Sequence, residues 1–186
     1  PQRPSSSPAL APTRCGSRTL SNGTVEVGTG GSLETTGVGY FDGLALDGDA
    51  TNSNTVYLRN GFTLDGTLTS TSYYGIYFDS GVMTVDGTGE FLFTTYGSQY
   101  FRNYSNGNVV TIESGITIRG GSAYIYGDFL FKGTICAETY GYEIYYQAGT
   151  WTNEGTIKAE NGGRLRLLGP WTTASGGVVA VAEGGT

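Results

Sequence analysis

The sequence predicts an all-β chain: a right-handed, three-sided parallel β-solenoid with about 22 residues per coil and roughly 7–8 coils. Three observations carry this expectation. Glycine supplies 32 of 186 residues and tyrosine 14, with many threonines, a composition suited to short strands closed by turns. No stretch of a dozen residues both lacks glycine and keeps a helical apolar period, which excludes long helices. Glycines also recur in three series that advance in step along the chain.

The elements follow in order from these series. Residues 1–22 precede the first repeat, and Pro1-Gln2-Arg3-Pro4-Ser5-Ser6-Ser7-Pro8 reads as an extended or disordered arm. Residues 23–186 then form one β-helix domain. A first glycine series runs through Gly23, Gly43, Gly66, Gly87, Gly115, Gly133 and Gly155, with a mean step of about 22 residues. A second runs through Gly31, Gly75, Gly97, Gly121 and Gly141, and a third through Gly39, Gly61, Gly81, Gly107, Gly127 and Gly149. Each coil thus holds three short segments closed by glycine. Alternation assigns their sides. In Thr156-Ile157-Lys158-Ala159, Ile157 and Ala159 point inward and Lys158 outward, and Leu165 and Leu167 point inward between Arg164 and Arg166. Two residues after the third glycine come Met83, Val109, Phe129, Trp151 and Trp171, expected to stack about 4.8 Å apart as a core ladder. A β-sandwich has similar strand spacing but does not explain a three-part motif recurring in step. The repeat breaks off at Gly185-Thr186, which reads as a fragment of a longer chain or a subunit whose ends neighbours cover.

Composition also excludes chemistry. Histidine is absent, which removes imidazole bases, histidine-ligated zinc and Ser-His-Asp triads. A net charge of −6 with ten basic residues argues against nucleic acid as a partner. No apolar run approaches 18 residues, so no membrane insertion by a spanning helix is expected.

The stretch Trp151-Thr152-Asn153-Glu154-Gly155-Thr156-Ile157-Lys158-Ala159, followed by Gly163-Arg164-Leu165-Arg166-Leu167, resembles repeats of bacterial autotransporter passengers and filamentous-haemagglutinin-like adhesins. The likeness covers about the last 35 residues. It implies a secreted right-handed parallel β-helix of the pectin-lyase-like architecture and an extracellular or cell-surface setting. It does not imply an activity.

Four constellations could carry function. Asp42, Asp65 and Asp86 each precede a first-series glycine and would stack in successive coils, near the separation that paired carboxylates of glycosidases use. Asp-Gly is equally the favoured turn dipeptide, and the turn reading is preferred. The segment Asp47-Gly48-Asp49-Ala50-Thr51-Asn52-Ser53-Asn54 opens like a calcium loop, but Leu58 stands where such a loop needs glutamate. Tyrosines crowd between Tyr57 and Tyr146; Tyr124 and Tyr126 flank Ile125 and should face outward, with Tyr77 and Tyr145 in corresponding segments. Such a strip binds glycans, contacts another solenoid laterally, or stiffens a flat sheet, and the residues leave these open. Finally, Cys136 replaces Lys158 in the repeat, so its thiol should face outward. In a head-to-tail stack, Cys15 on the arm of one subunit would reach Cys136 of the next and form an inter-subunit disulfide.

The function expected is therefore a non-catalytic extracellular structural solenoid, a stalk or adhesin module or a filament subunit. Its partners would be copies of itself, the rest of a longer adhesin chain, or surface glycans. No catalytic, cofactor or metal residue is assigned. The rivals are a polysaccharide lyase or hydrolase using Asp65, Asp86 and Lys132, and a carbohydrate-binding module using the tyrosines.

Overall fold

Alternating segments separated by glycine fold into parallel strands laid coil on coil. The structure, a computed structural model, describes residues 13–186 apart from 17, 81–82, 95–96, 106 and 183. Among them no residue is helical. Parallel strands recur roughly 21 residues apart over about 8 turns, so the β-solenoid expected from the glycine cadence is the fold observed.

The coil has three faces. Face A stacks Thr13–Cys15, Leu33–Thr35, Ala50–Asn52, Thr67–Ser70, Glu90–Phe93, Thr117–Gly120, Thr134–Ala137, Thr156–Ala159 and Val178–Val181. Three long strands, Arg18–Glu26, Gly39–Asp47 and Thr55–Asp65, then run over both other faces without a break. They bend at Asn22, Gly43 and Asn60, all in the left-handed region with φ of 49, 58 and 53°. From the fourth coil on, the two faces part. Face B continues through Gly75–Phe78, Gln99–Asn103, Ala123–Tyr126, Glu143–Ala148 and Arg164–Leu167. Face C continues through Met83–Gly87, Val110–Ile112, Phe129–Phe131, Trp151–Asn153 and Trp171–Thr173.

Period-2 alternation fills the interior. On face A one column reads Leu33, Ala50, Leu68, Phe91, Ile118, Ile135 and Ile157, all buried partners of one another. The interior asparagines sit at corners, where they tie coil to coil. Asn52 accepts from the Thr35 hydroxyl at 2.8 Å and donates to the Gly75 carbonyl at 3.1 Å, and Asn153 donates to the Val178 carbonyl at 3.0 Å. Between faces C and A, glycine is required for approach: a Cβ on Gly155 would collide with the carbonyl oxygen of Gly133 one coil below.

Four expectations need correction. The solenoid begins before residue 23, because Thr13–Cys15 and Arg18–Glu26 pair with Leu33–Thr35 and Gly39–Asp47. Of the expected arm, residues 1–12 and 17 lie outside the described residues. The first glycine series slips in the early coils, since Gly43 stands at the B–C bend and not at the C–A corner of Gly66. In the core ladder Met83, Phe129, Trp151 and Trp171 are in register, but their partner is Val110; Val109 is 44% exposed. Trp171 belongs to the column yet is itself 40% exposed. Its ring stacks on Trp151 at 5.1 Å and has no later coil of this face upon it among the described residues.

Candidate functional site

Face B carries the most distinctive surface. Its outward positions alternate with core residues: in Thr55–Asp65, Val56 and Leu58 are buried while Tyr57 and Arg59 face out. Strand register makes Tyr40, Tyr57 and Tyr77 successive partners, and the column continues through Arg102 to Tyr126. A second column runs Tyr100, Tyr124, Tyr145, Arg166. In the first column Tyr40 and Tyr57 stack at 5.1 Å and 15°, and Tyr57 and Tyr77 are tilted at 5.5 Å and 31°; Tyr104, just beyond its strand, stacks on Tyr77 at 5.2 Å and 19°. Tyr145 instead meets Tyr124 edge-on at 5.4 Å. Three guanidiniums lie over these rings, Arg59 on Tyr40 at 4.2 Å, Arg102 on Tyr104 at 4.3 Å and Arg166 on Tyr145 at 5.0 Å.

Of the four tyrosines expected here, Tyr124, Tyr126 and Tyr145 do share the outer side of face B. Tyr77 lies in one column with Tyr126, beside that of Tyr124 and Tyr145, and its ring is buried among Tyr57, Tyr100 and Tyr104. That burial, with the neighbouring phenols, pushes the Tyr77 hydroxyl well above its ordinary value. Sequence reasoning missed Tyr40, Tyr57, Tyr100 and Tyr104, and all three arginines. A readable signal existed, because Tyr-x-Arg occurs at Tyr57 to Arg59 and Tyr100 to Arg102, placing both on one side of a strand.

Charge divides face B in two. In the early coils Arg59 forms a two-pronged pair with Asp79 at 2.5 and 2.6 Å, and Asp42 accepts from the Asn60 amide nearby at 2.7 Å. In the later coils Arg102 and Arg166 have tyrosine partners but no carboxylate partner among the described residues.

The aspartate column does not exist. Asp42 stands opposite Arg59, Asp65 opposite Asp47, and Asp86 opposite Thr63. The carboxylates serve turns instead: Asp65 accepts from the Thr88 amide at 2.8 Å and its hydroxyl at 2.9 Å, and Asp86 accepts from the Gly87 amide at 2.8 Å. Lys132 is held by Glu113 at 3.0 Å, and its strand neighbour Phe131 stands two coils of face C beyond Val85, which precedes Asp86. The segment from Asp47 is no loop either, since Ala50–Asn52 is a strand and Asn52 points into the core. A groove of about 350 Å³ at the B–C bend, lined by Gly43, Ala45, Asn60, Thr63, Thr84 and Asp86, presents one carboxylate.

Face A carries an ion-pair ladder. Arg119 is gripped by Glu90 at 2.6 and 2.7 Å and by Glu138 at 2.8 Å, and Lys158 by Glu160 at 2.9 and 3.0 Å. Cys136 lies in the same outward column, between Arg119 and Lys158. Its thiol faces out of the sheet as expected, but neighbouring side chains bury it, with Glu160 at 3.4 Å and Glu138 at 3.7 Å. Burial, reinforced by the hydrogen bond to Glu160, pushes the thiol up to about 12. The ligand atoms of Cys136, Glu138 and Glu160 lie within 4.8 Å of one another, but Arg119 and Lys158 already engage both carboxylates. The expected clasp puts Cys15 on an arm, whereas the structure places it in a strand of the sheet. Cys15 closes a strand paired with Thr35, its side chain lies outside what the structure describes, and its strand is six ladder steps, about 29 Å, from that of Cys136.

Among the described residues no helix is long and apolar enough to cross a membrane. No family model, no curated protein and no solved structure matches the chain, so the adhesin likeness rests on the tail residues that carry it and the fold on the strands themselves.

Proposed function

We propose that this chain is a non-catalytic extracellular structural β-solenoid, serving as a stalk or adhesin module or as a subunit that stacks end to end. The observation that carries this reading is the ladder itself: parallel strands recur over about 8 turns, and one core column runs unbroken from Leu33 to Ile157. A regular stack of this kind extends by strand pairing at its end strands. On this reading Val178–Val181, with Val179 and Val181 in interior columns, takes one more coil from another copy or from an adhesin chain. Sedimentation and electron microscopy test the first case against Val179→Asp with Val181→Asp. Concentration-dependent filaments lost in the variant support stacking, whereas a wild-type monomer at every concentration overturns it in favour of the module. Release of reducing ends from polygalacturonate would overturn the non-catalytic reading altogether.

A further inference from the structure

We infer that the later half of face B, from Gln99–Asn103 to Arg164–Leu167, binds an extended acidic polysaccharide through Arg102 and Arg166. The charge there is reversed relative to the chain. Against an overall −6, the outward positions of these four strands carry three guanidiniums, Arg102, Arg164 and Arg166, and one carboxylate, Glu143.

The arginines are also pre-set. A guanidinium lying on a tyrosine ring has its plane fixed and its N–H edge free for a planar anion. Arg59 shows what such a fork takes on this face: the carboxylate of Asp79, bound by two prongs. No carboxylate of the chain does this for Arg102 or Arg166 among the described residues. Both therefore present an oriented, unneutralised cation to solvent.

Shape selects the occupant. The best-formed grooves of the described residues lie at the B–C bend and around Glu26 to Gly31, away from these four strands. A flat track three ladder steps long, about 14 Å, suits a polymer better than a small ligand. Apolar sugar faces have rings to lie on beside the arginines, since Tyr104 is 44% and Tyr142 39% exposed. The same face of a second copy would bring guanidinium against guanidinium, and the chain's net charge opposes nucleic acid. Carboxylate and sulfate share the chemistry that these forks recognise.

The inference does not depend on end-to-end stacking, and the two fail separately. Binding is measured on the whole chain with polygalacturonate, heparin and neutral dextran as probes. Wild type should bind at least one acidic probe and not dextran, with affinity falling as salt rises. Arg102→Gln with Arg166→Gln should weaken binding about tenfold or more at unchanged melting temperature. Lys158→Gln on face A removes the same kind of charge and should leave binding intact. Overturning results are no binding to either acidic probe, equal binding by the double variant, or equal binding to dextran. So would be self-association of the wild type through this face, abolished by the same double variant.

Discussion

Trp151→Phe should cost far less than Trp151→Ala, because both remove one orphaned buried donor but only alanine also removes the ring. Trp151 is 1% exposed and is packed by Tyr146 at 4.7 Å, Trp171 at 5.1 Å and Phe131 at 6.2 Å. Burying roughly 200 Å² of indole at about 25 cal/mol per Å² stabilises by about 5 kcal/mol as an upper bound. Truncation to alanine adds a cavity that these rings cannot close, so about 3–5 kcal/mol should be lost. The indole Nε1, however, is buried with no hydrogen-bond partner among the described residues. An orphaned donor costs about 1–3 kcal/mol, which phenylalanine recovers while keeping most of the ring. Trp151→Phe should therefore fall within about 1 kcal/mol of wild type.

Trp171→Ala supplies the control within the same column. That ring stacks on Trp151 at an interplanar angle of 10° but is 40% exposed, so its removal should cost about 1–2 kcal/mol and leave no enclosed cavity. Urea melts followed by far-UV circular dichroism measure all three, with an unchanged m-value as the condition for comparing midpoints. If Trp151→Phe costs as much as Trp151→Ala, ring packing is not what this position contributes, and if it costs clearly more than about 1 kcal/mol, relief of the orphaned donor does not offset the smaller ring. If Trp171→Ala costs more than Trp151→Ala, the assignment of core and open end is wrong.

Three further outcomes follow from the polar ladders. Arg119 holds the Glu90 carboxyl below its ordinary value, so in the window below about pH 5 the unfolded chain binds more protons. Stability should fall by about 1 kcal/mol as pH drops through that range, and Arg119→Gln should flatten the dependence in melts taken at stepped pH. Asp65→Asn should change stability by less than about 0.5 kcal/mol because asparagine also accepts from Thr88, whereas Asp65→Ala should cost about 1 kcal/mol in the same urea assay. In a Cys15→Ser background, the Cys136 thiol should react with a maleimide at pH 8 roughly a hundredfold or more slower than in urea; equal rates would contradict its burial.

How much was legible depended on what each residue answers to. Inward positions answer to the core, and the core is the same from coil to coil. Alternation thus turns Ile157 and Ala159 inward, and counting two residues from Gly127 and Gly149 does the same for Phe129 and Trp151; all four are buried. Val109 was misplaced because counting from Gly107 assumes corners of constant length, and a one-residue slip sends a side chain to the other side of the sheet. The aspartate column failed for a related reason. Asp42 precedes a glycine that bends a continuous strand, while Asp65 ends one, so identical dipeptides occupy different corners.

Outward positions answer instead to a neighbour one coil away, and that distance varies: 27 residues separate Glu90 from its partner Thr117, but 17 separate Thr117 from Thr134. A fixed cadence therefore finds the interior and loses the exterior. Only the register shows that face A sets Arg119 between Glu90 and Glu138 and Lys158 beside Glu160, the carboxylates that neutralise them. It likewise shows face B placing tyrosine on tyrosine until arginine interrupts the stack. Opposite charges laid side by side are consumed in holding the coils together. Stacked rings interrupted by guanidiniums are consumed only in part, because an arginine on a ring keeps its charge. The face that leaves cations unneutralised is where this solenoid has free energy to offer a partner, and its early coils, where Asp79 satisfies Arg59, do not.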